Sequence, residues 1–536
     1  MQNNRKDITN TDITSDKLIK IKENRSLTLR KEKFLEKEID SMRFKPRVSL
    51  FKSSLEIDLT KLQIEPCDLQ NLKYFKPKKL KTYLNSDRNS TQFKYGLYLC
   101  REYFKQTELD TDDLKDSEVH LILLQILQTS TDLVTIFECL WALSGYAKNT
   151  DTKYELVRPL YFEDSTINMY LSYINHDNID IKIMALDLIG NVTGCFNYAR
   201  DRVLNSQIFK IIRDLYISSR GKITSDNFNM MLKSDDSLVM EIYRKCVMFY
   251  YNCVKVKCEL SHQFMFEIIE ILCDAIKINY KDKDTIEVAI QGIFTITYYD
   301  PLIFLHKIAE QKIVSLCNKL NYQEIDPLVQ YNLIVIIGNI LVGEIETFDL
   351  MFEDGVYEWL LMVINHGKKT RQVKHAIWCF SNIVAKYKKY KMKFVTSGGL
   401  EIVYNIMNDK DCDFDSQSRC VKLIERLTMN LDLEINNLLI QNGIFDLIKH
   451  ATNKYSDLQD IEMALTSLKN IFQINNYESL SNEEKHQFLA NINKCNGIDF
   501  IDVFIDNSNK NENISNLAQQ IKDYYDKITN EIDIQL

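Results

Sequence analysis

Trp378 and Asn382 stand four residues apart. On a helix they share one face, a single turn apart. A half-exposed indole covers the aliphatic stem and the charge of a Lys or Arg. A side-chain amide offers a donor and an acceptor, which suits the backbone of an extended peptide. The pair therefore carries binding chemistry for a cationic, extended chain. Ile377, Phe380, Ser381 and Val384 recur at helical spacing around it and mark the buried stripe of the same helix. An isolated pair of this kind also fits a core Trp beside a solvated Asn. This pair is not isolated.

Forty-three residues upstream, Ile336-Ile337-Gly338-Asn339-Ile340 repeats the pattern around Asn339. Forty-four residues after Asn382 comes Arg426, and forty-four later comes Asn470. Counting back from Asn339 by 42, 45, 61 and 46 reaches Thr297, Asn252, Asn191 and Gly145, the last one turn after Trp141. A period in the low forties marks armadillo or HEAT arrays of two- or three-helix units. Such units bury their apolar faces only against neighbours, so they stack. The expected fold is all-α, an armadillo-repeat superhelical solenoid with a basic N-terminal arm.

A chain of 536 residues exceeds one compact core, a limit that a stacked array removes. With 14 Gly and 6 Pro, a turn-rich β fold is disfavoured. The 13 Cys are odd in number and without a Cys-x-x-Cys pair, which suits reduced thiols in a cytosolic or nuclear protein. The polar start carries no secretory signal, and runs such as Leu333–Ile337 are too short to span a bilayer, so no membrane partner is expected. Net charge is −8, unevenly spread: residues 1–52 hold 14 Lys and Arg against 8 Asp and Glu. The arm is thus +6 and the body −14. An acidic body disfavours direct nucleic-acid binding and favours basic ligands.

In chain order, residues 1–45 form the arm, polar to residue 20 and then a basic helix. Residues 46–87, with Pro46, Pro66 and Pro77, read as a linker. Within it Lys76-Pro77-Lys78-Lys79-Leu80-Lys81 looks like a nuclear localisation signal, or else opens the first repeat as a solvated charge run. Residues 88–530 form about ten repeats, with a polar insertion at Ser218–Ser237 and a longer loop at Asn475–Asn491 before a last repeat ending near Tyr525. Residues 531–536 are a tail.

The array resembles importin-alpha, the armadillo-repeat adaptor of nuclear import, over nearly the whole chain. Leu29-Arg30-Lys31-Glu32-Lys33, within Lys20–Arg43, resembles the core of its importin-beta-binding segment. Gly190-Asn191-Val192 followed by Arg200-Asp201-Arg202-Val203, and Gly338-Asn339-Ile340 followed by Gly343, match whole repeats, and Ile492–Ile498 resembles the last one. The resemblance implies a nuclear import adaptor that shuttles between cytoplasm and nucleus through the nuclear pore. It would hold localisation signals of cargo in a concave Trp/Asn groove. Trp141, Asn191 and Asn252 would form the major groove, and Asn339, Trp378 and Asn382 the minor one. Arg25, Leu29, Arg30, Lys31 and Lys33 would bind importin-beta, and the carboxyl-terminal repeats an export receptor.

The chain departs from this pattern at several ladder positions. Trp positions hold Asp187, Met248, Ile293, Val335, Lys422 and Thr466, while Asn positions hold Gly145, Thr297 and Arg426. Cys195 stands where the family has an Asp for a key Lys. Lys422 and Arg426 oppose a Lys-rich peptide and could instead receive an acidic residue flanking a signal. Lys-rich signals are therefore expected mainly in the amino half. Glu38 and Asp40 weaken the stretch that self-inhibits the family. No phosphate loop, His-Glu-x-x-His, Gly-x-Ser-x-Gly or zinc spacing is present, so neither catalytic residues, metal nor cofactor are expected. The competing expectation is a structural armadillo scaffold that carries no cargo.

Overall fold

The computed structural model describes residues 76–533 apart from 106–110, 150–153, 225–236, 257–259, 279–281, 299–301, 321–325, 367–370, 411, 455–456, 474–479, 495–497 and 506–511. Arg25, Leu29, Arg30, Lys31 and Lys33, and most of the expected insertion, lie outside the described residues.

The repeat is a unit of three helices. Its clearest copies are Ile345–Glu353, Val356–His366 and Arg371–Lys386; then Lys388–Thr396, Gly399–Asn408 and Phe414–Leu427; then Leu433–Gln441, Ile444–Lys454 and Leu458–Phe472. First and second helices join through Gly355, Gly398 and Gly443, with φ of 86°, 80° and 86°. That left-handed turn costs a residue with a Cβ, which is why glycine recurs. Lys312 (φ 55°) and Glu118 (φ 53°) make the same turn in earlier repeats without glycine.

We label the third helices α1 (Thr91–Phe104), α2 (Leu133–Asn149), α3 (Ile179–Thr193), α4 (Ser237–Lys255), α5 (Lys283–Tyr298), α6 (Pro327–Ile340), α7 (Arg371–Lys386), α8 (Phe414–Leu427) and α9 (Leu458–Phe472). Their starts are set by caps. Ser90, Asp326, Asp413 and Asp457 each accept a backbone N–H of the first turn, and Pro327 opens α6 where no hydrogen bond is lost. Among the described residues there is no strand. The chain is all-α and built as an armadillo-repeat solenoid.

Two compact units divide it, 1–149 with 175–185, and 150–174 with 186–536. In the first, α1 packs on α2. In the second, α4 through α9 pack each on the next. The core is mainly apolar, with buried polar groups such as Glu138, Arg200 and Asn332 among it, and α6 is buried along most of its length. Of the ten cysteines among the described residues, nine are buried and Cys412 is half-buried. Burial pushes the thiols of Cys100, Cys246, Cys317 and Cys379 well above their ordinary range.

Three boundaries differ from expectation. Among the described residues helix already begins at Lys78, ahead of 88: Lys78–Leu84 is a helix whose Leu80 and Leu84 are buried, packed on α1. Pro77 sits at its start, where a proline is tolerated, and so does not mark a linker. Lys78 and Lys81 pair with Asp116 and Glu118 at 3.9 and 3.0 Å. The basic run from Lys78 therefore belongs to the first repeat as a charged face. Within the expected loop, Asn482–Lys494 is a helix. Ser481 and Glu484 cap it reciprocally, each side chain bonding the other's backbone N–H at 3.3 and 2.8 Å, and Phe488 and Ile492 bury against the array. The last helix, Glu512–Asp533, runs past Tyr525 into the expected tail.

A candidate peptide-binding ladder

Gly338 is the pivot of the carboxyl-half rungs. The indole of Trp378 lies against it, so close that a methyl group there would fall 2.0 Å from Cζ3. One turn on, Asn382 Nδ2 donates to the Gly338 carbonyl at 3.0 Å. Only glycine lets α7 approach α6 this closely. In the preceding repeat Asn339 Nδ2 donates to Thr297 Oγ1 at 2.9 Å, and Thr297 in turn donates to the Phe294 carbonyl at 2.7 Å. Thus Thr297, which replaces an expected Asn, serves as its neighbour's acceptor.

Asn339 and Asn382 are buried rather than half-exposed, being 5% and 8% accessible. Their amides first strap one repeat to the next. The oxygen of each has no protein partner and is not sealed from solvent, so it can accept a peptide N–H. Trp378 is half-buried, and no cation of the described residues lies over its ring. These three residues come together on neighbouring helices of the second unit, as the sequence spacing implies.

The amino-half residues fare differently. Trp141 belongs to the first unit, Asn191 and Asn252 to the second, and each is described on its own. Over the Trp141 ring lie Arg101 of α1 at 4.5 Å and Lys105, just past the end of α1, at 4.8 Å. Arg101 is fixed by two bonds to the fully buried Glu138, at 2.9 and 3.1 Å. The expected open slot at Trp141 is filled by the chain's own cations. Asn252 is buried against Gly194, where a methyl would meet its Oδ1 at 2.8 Å, and its Nδ2 is buried without a partner. Asn191 is half-buried, and its carbonyl takes the Cys195 thiol at 3.1 Å.

The departed Trp positions are filled in kind. Asp187 forms an ion pair with Lys245 of the next repeat. Burial pulls that ammonium's pKa down, but the Asp187 and Glu241 carboxylates outweigh it and hold it above the ordinary value. Ile293 and Val335 are buried. One rung residue was missed: Asn149 Nδ2 donates to the Phe104 carbonyl, on which Gly145 also packs. This repeats the Gly338 and Asn382 arrangement, with the glycine and the amide now on one helix. The signal in the sequence is that Asn149 stands one turn after Gly145, the ladder position of its repeat.

Charge gathers on α7 and α8. Lys422 is exposed and Arg426 half-buried, one turn apart. Glu425 lies between them; burial pushes its carboxyl up, while Lys422 and Arg426 pull it down. Lys374 pairs with Asp415, and the Arg371 guanidinium lies 4.1 Å over Tyr331. Burial holds His375 down to about 4, so it is neutral near pH 7.

Among the described residues no cluster of His, Cys, Asp and Glu could hold a metal, and no helix is long and apolar enough to cross a membrane. No family model and no curated protein matches the chain. Solved structures do. One engineered protein is 16% identical, covers 84% of this chain and 99% of its own, and superposes with a TM-score of 0.59. A computationally designed armadillo repeat protein for modular peptide recognition is 18% identical, covering 47% of this chain and 98% of its own, with a TM-score of 0.38. The first likeness is one of fold alone.

Proposed function

We propose that this chain binds extended peptides along its third-helix rungs and acts as a nuclear import adaptor, joining cargo to importin-beta through its basic arm. One observation carries the peptide-binding part: the open Trp378 face beside the two unpartnered amide oxygens of Asn339 and Asn382. An extended chain offers a backbone N–H on each side at alternate residues, which suits oxygens set on successive repeats. The transport part rests on Leu29-Arg30-Lys31-Glu32-Lys33, a segment that a bare scaffold does not need. A short basic segment is only marginally stable as an isolated helix, and an acidic partner groove would supply the contacts that fix it.

The experiment is a binding titration of importin-beta with the full chain and with Arg30→Glu/Lys31→Glu. The double reversal is expected to abolish binding while the helical signal of the body stays unchanged. Equal affinity would remove the adaptor reading. The second reading is a scaffold without cargo. It is favoured by the filled wall at Trp141 and the Asp187 and Lys245 pair, which take up places a cargo lysine would use.

A further inference from the structure

The rungs differ sharply in charge. α6 carries no charged residue. α7 carries Arg371, Lys374 and Lys386 and no acid. α8 carries Arg419, Lys422 and Arg426 against Asp415 and Glu425. α7 and α8 together are net +4, on a chain that is net −8. At the two rung positions of α8, where Trp378 and Asn382 stand on α7, the side chains are Lys422 and Arg426. Carboxylates nearby include Asp415, which pairs with Lys374; Glu425, which interacts with both cations; Glu462 of α9, which acts on Glu425; and Asp460 of α9, which accepts from Ser418 at 2.7 Å. Asp415 and Glu425 are already counted in that net +4.

We propose that the carboxyl-half groove takes an extended acidic peptide, with an apolar side chain over Trp378 and an Asp or Glu at Lys422 and Arg426. The register follows from geometry. Packed helices lie roughly 8–10 Å apart. An extended chain advances roughly 3.3 Å per residue and turns alternate residues the same way, so successive rungs meet same-side residues two apart, the same-side step nearest to that spacing. Lys and Arg in a row repel a cationic peptide and attract carboxylates, Arg in a forked pair of hydrogen bonds. Among the described residues no cation lies over the indole, so it offers its face to an aliphatic side chain. The amide oxygens of Asn339 and Asn382 accept the peptide's N–H groups. This inference rests on the ladder being a peptide site, and it reverses the charge of the occupant expected there.

The probe is a short fluorescein-labelled peptide, Glu-Glu-Ser-Leu-Ser-Glu-Glu, symmetric so that either chain direction places an acid at the α8 rung. Its Lys-for-Glu and Gln-for-Glu counterparts serve as controls. Each is titrated by anisotropy against the full chain and against Lys422→Glu/Arg426→Glu, Trp378→Ala and Asn382→Ala, with thermal melts of each variant. The acidic probe is expected to bind the full chain at least tenfold tighter than the Lys probe, and to weaken as salt rises. The charge reversal, on accessible side chains, is expected to lower that affinity tenfold or more and to invert the preference. If the Lys probe binds better and still responds to Asn382→Ala, the inference falls while the ladder stands. If no probe responds to Trp378→Ala or Asn382→Ala in variants that melt like the parent, the ladder falls with it.

Discussion

Trp378, Gly338 and Asn382 act as one joint, and each can be tested by a single atom group. Gly338→Ala inserts a methyl where the indole lies, so the ring or the helix must move. Overpacking of this kind costs about 1–3 kcal/mol. The expected result is a lowered melting temperature, with the loss largely absent in a Trp378→Ala background, as a double-mutant cycle would register. Thr297→Val removes the acceptor of the Asn339 amide and strands a buried donor. It is expected to cost about 1–3 kcal/mol, and Thr297→Asn, which restores an acceptor, to recover most of it in the same denaturation measurement. The positions of Trp378, Asn339 and Asn382 were legible because helical spacing and the repeat period both point to them. Their first task, strapping repeats together, was not legible: a period says which residues are equivalent and not which neighbour's carbonyl they reach. The covered Trp141 was hidden for the same reason, since Arg101 and Lys105 lie forty and thirty-six residues before it.

The turn between first and second helices is the element that the periodicity of rung residues passes over. Gly355, Gly398 and Gly443 stand forty-three and forty-five residues apart, a second ladder in the sequence that marks a backbone need. At Gly398 an added Cβ would meet nothing within 4 Å, so only the backbone opposes it. Gly398→Ala is expected to cost roughly 1–2 kcal/mol. Conversely, Lys312→Gly relieves the same conformation and is expected to gain about 0.5–1 kcal/mol, both read by denaturant titration. The basic helix Lys388–Thr396 gives a pH test. Lys391 is buried, its ammonium donates to the Met429 carbonyl at 2.6 Å, and burial holds its pKa down to about 8. The unfolded chain binds that proton more tightly, so this residue's contribution to stability rises as pH climbs from about 8 towards about 10.4. Lys391→Met has no proton to lose. Its melting temperature relative to the parent is expected to fall between pH 7.5 and pH 10; a constant difference would contradict the assignment. Its neighbours are fully engaged: Lys388 pairs with Asp432 and Glu434 at 2.5 and 2.6 Å, and Lys389 with Asp349 at 2.8 Å. This charge run is thus paired with carboxylates of neighbouring repeats.

Several interactions between repeats fall at separations of 41 to 44 residues, as in Asn332 to Gln291, Gln372 to Gln330, Asn382 to Gly338 and Ser418 to Asp460. Each repeat is held chiefly by the next, so stability is a sum of neighbour terms. The class of fold was legible for that reason: additive architectures write their period into the sequence. The edges were less so, because terminal units obey local signals, Pro77 at a helix start and the Ser481 and Glu484 cap. Unfolding is expected to be broad, with helical signal lost over a wider denaturant range than a two-state transition of a chain this long. The cysteines turn this into a measurement. Cys100, Cys139, Cys195, Cys246, Cys273, Cys317, Cys379 and Cys420 are spread along the array, all buried and unoxidised, while Cys412 alone among the described ten is half-open. A thiol that is sheltered and uncharged alkylates only when its own repeat opens. Timed exposure to iodoacetamide followed by peptide mass spectrometry would therefore record, repeat by repeat, a clock of local opening, with Cys412 as its fast reference and no engineered label required.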